Sequence, residues 1–223
     1  MKGVQIGRVK PPYDLSPLTL VSHRYKFIYI GIPKVATRSF KTSFHDTNAE
    51  SFESEIFETK RDFKKVLKAY PDYLIFTFTR NPYARALSCY NSKIGHKNVS
   101  MKKRARILSF YKGLTPGMSF EDFAIWLNSD EGRDERADRH WMSQHRFVLD
   151  GSGRNICDFV GRYECLEDDL NYILHKIGAP TVELQQAGWI SGSEGYKDTY
   201  TTRAKEEISK RYKDDLSLFK YKY

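Results

Sequence analysis

Residues 25–41 read YKFIYIGIPKVATRSFK, and the first seven decide the fold. Tyr25 to Gly31 (YKFIYIG) is dense in aromatic and β-branched side chains, the composition of a strand buried on both faces. It runs into a turn at Gly31 and Pro33, and a helix is predicted from Val35 to Phe44. A strand that turns directly into a helix collects free backbone N–H groups and the positive end of the helix dipole at one point. Lys34 adds an ammonium there, while Thr37 and Ser39 add hydroxyl donors, so the junction suits a phosphate or a sulfate. The arrangement is P-loop-like, but GxxxxGK[ST] is absent, which disfavours an ordinary ATPase or GTPase. A structural turn carrying a surface lysine is the competing reading.

Working outward, Tyr73 to Thr79 (YLIFTFT) is a second buried-type strand. Asn81-Pro82 then supplies an N-cap and an N1 proline for a helix reaching about Ile94. Arg80 stands at the strand end, where its planar fork suits an oxyanion. Arg85 and Ser88, three apart, share a helix face, and Arg80 and Ser88 are expected to reach one phosphate; the alternative pairs Arg80 with a nearby acid. Arg61 to Ala69 is a helix stopped before Pro71. Ser119 and Asp122 form a capping box ahead of Phe120, Phe123, Ala124 and Leu127. Asp158 to Glu164 is a third strand, followed by a helical stripe of Leu166, Leu170, Ile173, Leu174 and Ile177 that ends at Gly178. Ile208, Tyr212, Leu216 and Phe219 mark a last helix. Strands alternating with helices predict one α/β domain, over residues 23–223, with a central mainly parallel sheet flanked by helices. Residues 1–22 read as an irregular N-terminal arm. In such sheets ligands bind outside the carboxyl ends of strands, where both junctions lie.

Composition excludes several classes. With 40% hydrophobic and 14% aromatic residues in 223, the chain has too much core-forming material to be disordered. No apolar run approaches the roughly 20 residues of a membrane-spanning helix. MKGVQIGRVKPPYDLSPLTL has no apolar segment after its early lysines, unlike a signal peptide. Cys89, Cys157 and Cys165 show no CxxC spacing, which suggests reduced thiols and a cytoplasmic protein. The Golgi lumen is the alternative, if the sequence is a trimmed ectodomain; the Asn98-Val99-Ser100 sequon is compatible with it. No metal-ligand cluster appears, so no metal is expected. The net charge is +9, and Lys93 to Lys112 holds seven Lys/Arg and no acid. That stretch is either a site for a polyanion or a solvated loop. Zinc-finger spacing, an RNP-type aromatic motif and a GxxG loop are all missing, which argues against a nucleic-acid partner.

IPKVATRSF (32–40) resembles the 5′-phosphosulfate loop of sulfotransferases, and RNPYARALSCY (80–90) resembles their 3′-phosphate motif, R-x-P-x-x-R-x-x-S-x-Y. RHWMSQ (139–144) is similar to the His-Trp-x-x-Gln element of Golgi carbohydrate sulfotransferases. GRYECLEDDL (161–170) is similar to their Gly-Lys-x-Glu-x-Leu segment, and RYKDDLSLFKY (211–221) to their Tyr-x-x-Asp-x-x-x-Phe-x-Tyr close. The five occur in the family's order and span most of the chain. Three positions depart from the pattern: Arg38 where many members carry Thr or Ser, Arg162 for the usual Lys, and Ser143 where Pro is frequent.

The resemblance implies a P-loop NTPase-like sulfotransferase fold and the donor 3′-phosphoadenosine 5′-phosphosulfate (PAPS). The acceptor is expected to be a hydroxyl, on a carbohydrate or alternatively on a small alcohol, phenol or lipid; a basic nucleic-acid-binding protein is the remote alternative. The 5′-phosphosulfate would then be held by the backbone of Val35, Ala36, Thr37, Arg38, Ser39 and Phe40, and the 3′-phosphate by Arg80 and Ser88. Lys34 would neutralise the bridging oxygen. The loop Trp189 to Tyr200 lies where relatives close over the nucleotide, making Ser191, Tyr196 and Lys197 candidate donor contacts. His140, in the His-Trp-x-x-Gln element, is the expected general base, with His45, His96 and Glu58 as alternatives.

Overall fold

The computed structural model of the protein describes residues 17–37, 39–40, 56–59, 63–95, 109–115, 117–181 and 195–223. Its strands are β1 (Leu18–Ser22), β2 (Phe27–Gly31), β3 (Ile56–Thr59), β4 (Leu74–Thr79) and β5 (Phe159–Arg162). They form one sheet in the order β3-β1-β2-β4-β5. The helices are α1 (Phe63–Ala69), α2 (Pro82–Lys93), α3 (Phe120–Trp126), α4 (His145–Val148), α5 (Leu166–Lys176), α6 (Thr202–Arg211) and α7 (Lys213–Leu218). β2 runs parallel to β4, with Ile30 opposite Thr77, and β4 runs parallel to β5. β1 is antiparallel to both β2 and β3. The parallel half of the sheet therefore sets the carboxyl ends of β2 and β4 side by side, which brings the two strand-to-helix junctions together.

Leu18–Ser22, read from sequence as the end of an irregular arm, is strand β1 in the body of the sheet, so the folded unit includes residues before 23. Its polar residues are buried too: Thr19 donates to the Pro17 carbonyl (3.4 Å), and the Ser22 hydroxyl accepts from the Tyr25 N–H (3.2 Å). The helical stripe expected as one last helix is divided. Tyr212 leaves helical geometry (φ −113°, ψ 28°) and separates α6 from α7.

Aromatic side chains fill the layer against the sheet. Tyr29 stacks on Phe40 with centroids 4.6 Å apart, and Phe76 and Phe78 lie within 6.4 Å of it. Each is fully buried, worth about 1.5–3 kcal/mol apiece in apolar surface removed from water. Gly161 makes room for this layer, since a Cβ there would lie 2.5 Å from the Phe78 ring. A second cluster joins α2, α3 and α6 through Ala84, Leu87, Phe123, Ala124, Leu127, Ala204 and Ile208. The expected caps are in place: Asn81 accepts from the Tyr83 N–H (3.1 Å), and Ser119 and Asp122 form a reciprocal capping box. Among the described residues no helix is long and apolar enough to cross a membrane.

Candidate active site

After β2 the backbone turns sharply. Lys34 and Ala36 have positive φ (73° and 49°) while Val35 between them does not. Such alternation turns successive N–H groups toward one side and makes a concave anion seat. Held left-handed conformations in non-glycine residues cost about 1–3 kcal/mol each and collect at functional sites. The loop is fixed from within. Val35 is buried, its N–H donates to the Ile32 carbonyl (3.3 Å), and the Thr37 hydroxyl donates to the same carbonyl (2.8 Å). The Thr37 hydroxyl proton thus serves the loop rather than an outside ligand. Gly31 permits this, because a Cβ there would stand 2.8 Å from Thr37 Cγ2. The Phe40 N–H donates to the Ala36 carbonyl (3.1 Å), so Ala36 is the N-cap position. The N–H groups of Thr37 and Ser39 then fall in a first turn, where donors have no intrahelical partner. Ser39 and Phe40 are themselves packed inward.

Arg80, at the end of β4, faces that loop. Its Nη1 donates to the Lys34 carbonyl (3.3 Å), and its guanidinium stacks over the Tyr163 ring at 4.2 Å. The side chain is buried, and Nε has no hydrogen-bond partner among the described residues. Burial pulls the guanidinium below the usual arginine range, against the attraction of Tyr163 and Glu164. Glu164 does not pair with it: its oxygens accept from the Asn81 N–H (2.8 Å) and the Tyr221 hydroxyl (3.0 Å). A buried cation with an unused donor fits an anionic ligand.

Arg85 has another task. It is 2% exposed and donates to the carbonyls of Pro33 (3.1 Å), Met142 (2.9 Å) and Arg139 (3.4 Å), strapping the loop to the segment that carries His140. Ser88, half-buried one turn further along α2, shares its face.

The distal motifs converge on the same strand end. Gln144 is fully buried; its Oε1 accepts from the Arg80 N–H (2.9 Å) and its Nε2 donates to the Arg80 carbonyl (2.8 Å). Asp215, also fully buried, accepts from the N–H groups of Gln144 (2.7 Å) and His145 (2.8 Å), capping α4 from 70 residues away. It also accepts from the His145 ring, whose pKa its hydrogen bond raises. Tyr212 donates to the Trp141 carbonyl (2.8 Å). None of these three pairings is visible in the sequence, since the partners share no local spacing. Tyr221→Phe, which leaves Glu164 and Thr79 without the hydroxyl they share (3.0 and 3.2 Å), should lower stability by about 1–3 kcal/mol in urea unfolding.

His140 lies one-fifth exposed on the turn following Asp138. Its Nδ1 is 2.5 Å from Asp138 Oδ1, which also accepts the His140 N–H (2.8 Å). Burial holds the imidazole below the ordinary 6.5, with Asp138 opposing and Lys93 and Arg139 reinforcing the shift. The thiol of Cys89, on α2, is pushed up to about 11 by burial and is also acted on by Lys34, Arg85, Asp138 and Lys93. Through Arg85, α2 thus ties the loop to the turn that carries His140. Tyr196 sits near Arg80's neighbour, its hydroxyl accepting from Asn81 Nδ2 (3.4 Å), and is packed among Tyr83, Tyr200 and Tyr223. The Lys197 ammonium lies 5.7 Å from the Tyr223 ring. Arg38, Ser191, His45, His96, the Glu58 side chain and residues 96–108 of the basic stretch lie outside the described residues.

Among known proteins, the chain is 28% identical over 256 residues to carbohydrate sulfotransferase 14 of Danio rerio, covering 94% of this chain and 65% of that one. It is 30% identical to the Homo sapiens protein of that name, covering 79% of this chain and 53% of the relative. It is 27% identical to carbohydrate sulfotransferase 11 of Rattus norvegicus, covering 94% and 64%. The chain spans about half to two-thirds of the length of these relatives. No solved structure matches it significantly. The cytoplasmic placement drawn from cysteine usage and the N-terminal sequence is overturned here, because the relatives are carbohydrate sulfotransferases, which are Golgi enzymes. The Sulfotransferase family profile matches residues 17–222. That match takes in the Lys34 loop, the Arg80 strand end and the distal motifs that brace them, and on it we conclude that the chain belongs to the sulfotransferase family.

Proposed function

We propose that this protein transfers a sulfuryl group from PAPS to a hydroxyl of a carbohydrate acceptor. The observation that supports the reading best is the contact of Arg80 Nη1 with the Lys34 carbonyl (3.3 Å). It sets two anion-binding strand ends next to each other, a spacing suited to one nucleotide phosphorylated at both ends.

When bound, PAPS supplies an activated sulfur whose leaving group is a phosphate oxygen. The chain's own residues then have distinct roles. Lys34 and the first-turn N–H groups of Thr37 and Ser39 bind and orient the 5′ end, and Lys34 neutralises charge that develops on the leaving oxygen. Arg80 holds the 3′-phosphate with Ser88, and so selects PAPS over ATP, which lacks that group. Arg85 and Gln144 keep the two halves in register. His140 takes the acceptor proton at Nε2. Its burial disfavours the charged ring, which suits a base. Tyr196, whose hydroxyl accepts from Asn81, and Lys197, next in the chain, contact the donor.

Thermal unfolding tests the donor site. Saturating adenosine 3′,5′-bisphosphate at about 100 Kd should raise Tm by about 5–10 °C, and ATP at equal concentration by much less. Equal shifts for the two nucleotides would remove the basis for PAPS selection. Transfer of labelled sulfate to a desulfated glycosaminoglycan but not to 4-nitrophenol is the expected acceptor pattern, and the reverse would replace the carbohydrate with a small phenol.

A further inference from the structure

Asp138 is outside the motifs that carry the resemblance, one residue before RHWMSQ, and the roles assigned above give it nothing to do. It is nonetheless a carboxylate only 4% exposed. Its backbone carbonyl accepts from the N–H groups of Trp141 (3.0 Å) and Met142 (2.9 Å), which closes the turn over it. Its side chain is directed at His140 by two bonds from one oxygen, to the backbone N–H at 2.8 Å and to Nδ1 at 2.5 Å. Trp141, next in the chain, is locked between Tyr111 and Trp126 with centroids 4.9 and 5.8 Å away, so the turn has little freedom to move.

We infer that Asp138 is the positioning residue of the general base, fixing His140 with its proton on Nδ1 and its lone pair on Nε2. The inference rests on the reading of His140 as base. An Nδ1–H that donates to a carboxylate leaves Nε2 as the acceptor. During transfer the new bond between acceptor oxygen and sulfur forms as the bond between sulfur and the bisphosphate oxygen breaks, with that electron pair leaving on the phosphate. The acceptor's hydroxyl proton passes to Nε2, and the imidazolium so formed is balanced by the Asp138 carboxylate.

The charged groups acting on His140 make this balance necessary. Lys93, from the last turn of α2, and Arg139 both oppose protonation of the ring, and burial opposes it further; Asp138 works against all three. Without the carboxylate, a largely buried imidazole acted on by two cations would be a weak base. Asp138 therefore sets both the orientation and the basicity of the ring.

Asp138→Asn is the informative variant, because an amide oxygen still accepts the His140 N–H and preserves the turn. The kcat plateau should fall by about 10- to 100-fold, less than the roughly 100- to 10,000-fold that the general base itself supplies. The acid limb of kcat/KM should move to lower pH, since the group that raises the His140 pKa has lost its charge. Affinity for adenosine 3′,5′-bisphosphate should stay as in the parent. A purely structural Asp138 would lower Tm while leaving the plateau and the limb in place, and that result overturns the inference. His140→Ala separates the two readings. If it retains turnover and the acid limb, His140 is not the base. If it abolishes the limb while Asp138→Asn changes nothing, only the positioning role fails. A measurement on the unmodified protein needs neither folding of a variant nor an acceptor: nitrogen-15 shifts of the neutral His140 ring should report a proton on Nδ1. A proton on Nε2 instead would sink the proposal outright.

Discussion

In Lys34→Ala, kcat should drop by about 100- to 1,000-fold, the loss that follows removal of one preorganised donor from a developing oxyanion. Affinity for adenosine 3′,5′-bisphosphate should change far less. The variant isolates the ammonium, because the Lys34 carbonyl that receives Arg80 Nη1 belongs to the backbone. Alanine also keeps a Cβ at the φ of 73°, so loop strain is matched between parent and variant. Single-turnover rates with labelled donor and calorimetric Kd values for the bisphosphate check both halves. Unaltered turnover would strike Lys34 from its role. A large loss confined to affinity would recast it as a binding residue, since only an interaction that strengthens in the transition state lowers kcat.

Arg80→Ala should act in the opposite sense, weakening bisphosphate binding by about 30- to 1,000-fold, or roughly 2–4 kcal/mol, with a smaller change in kcat at saturating donor. The guanidinium is buried and stacked on Tyr163, so its interaction with a phosphate is little screened by water. Gln144 grips the backbone of residue 80 rather than its side chain, so the strand end should hold its place in the variant. Arg80→Lys retains charge but loses the planar fork and the stack, and should recover only part of the affinity. A bisphosphate Kd equal to the parent's, measured on folded protein, would take the 3′-phosphate away from Arg80.

The elements on which the proposed site is built were legible because their signals are local. YKFIYIG and YLIFTFT are short apolar runs ending in turn chemistry, and Asn81-Pro82 and Ser119 with Asp122 are caps whose partners lie within three residues. β1 escaped notice because LTLVS carries buried Thr19 and Ser22, and its link to β2 turns through His23 to Lys26 without a glycine or asparagine. Lys26 takes the left-handed position itself (φ 49°). β3 is only four residues long and gave no periodicity to read. In the site, Lys34 and Arg80 follow from strand ends, but the task of Arg85 does not. Three carbonyls from two distant segments claim its fork, and a helix-face pattern cannot distinguish such a strap from a phosphate ligand. Asp138 is likewise invisible until the turn closes and brings the carboxylate against the ring.

The bonds from Asp215 to the Gln144–His145 backbone, and from Tyr221 to Glu164, also have a consequence for biosynthesis. A ribosome delivers the Lys34 loop and the Arg80 strand long before it delivers residues 212–221. Until those emerge, the Gln144 backbone N–H lacks its Asp215 acceptor, and the glutamate that serves Asn81 lacks the Tyr221 hydroxyl. On the donor site proposed above, nascent chains stalled short of Asp215 should be unable to retain adenosine 3′,5′-bisphosphate.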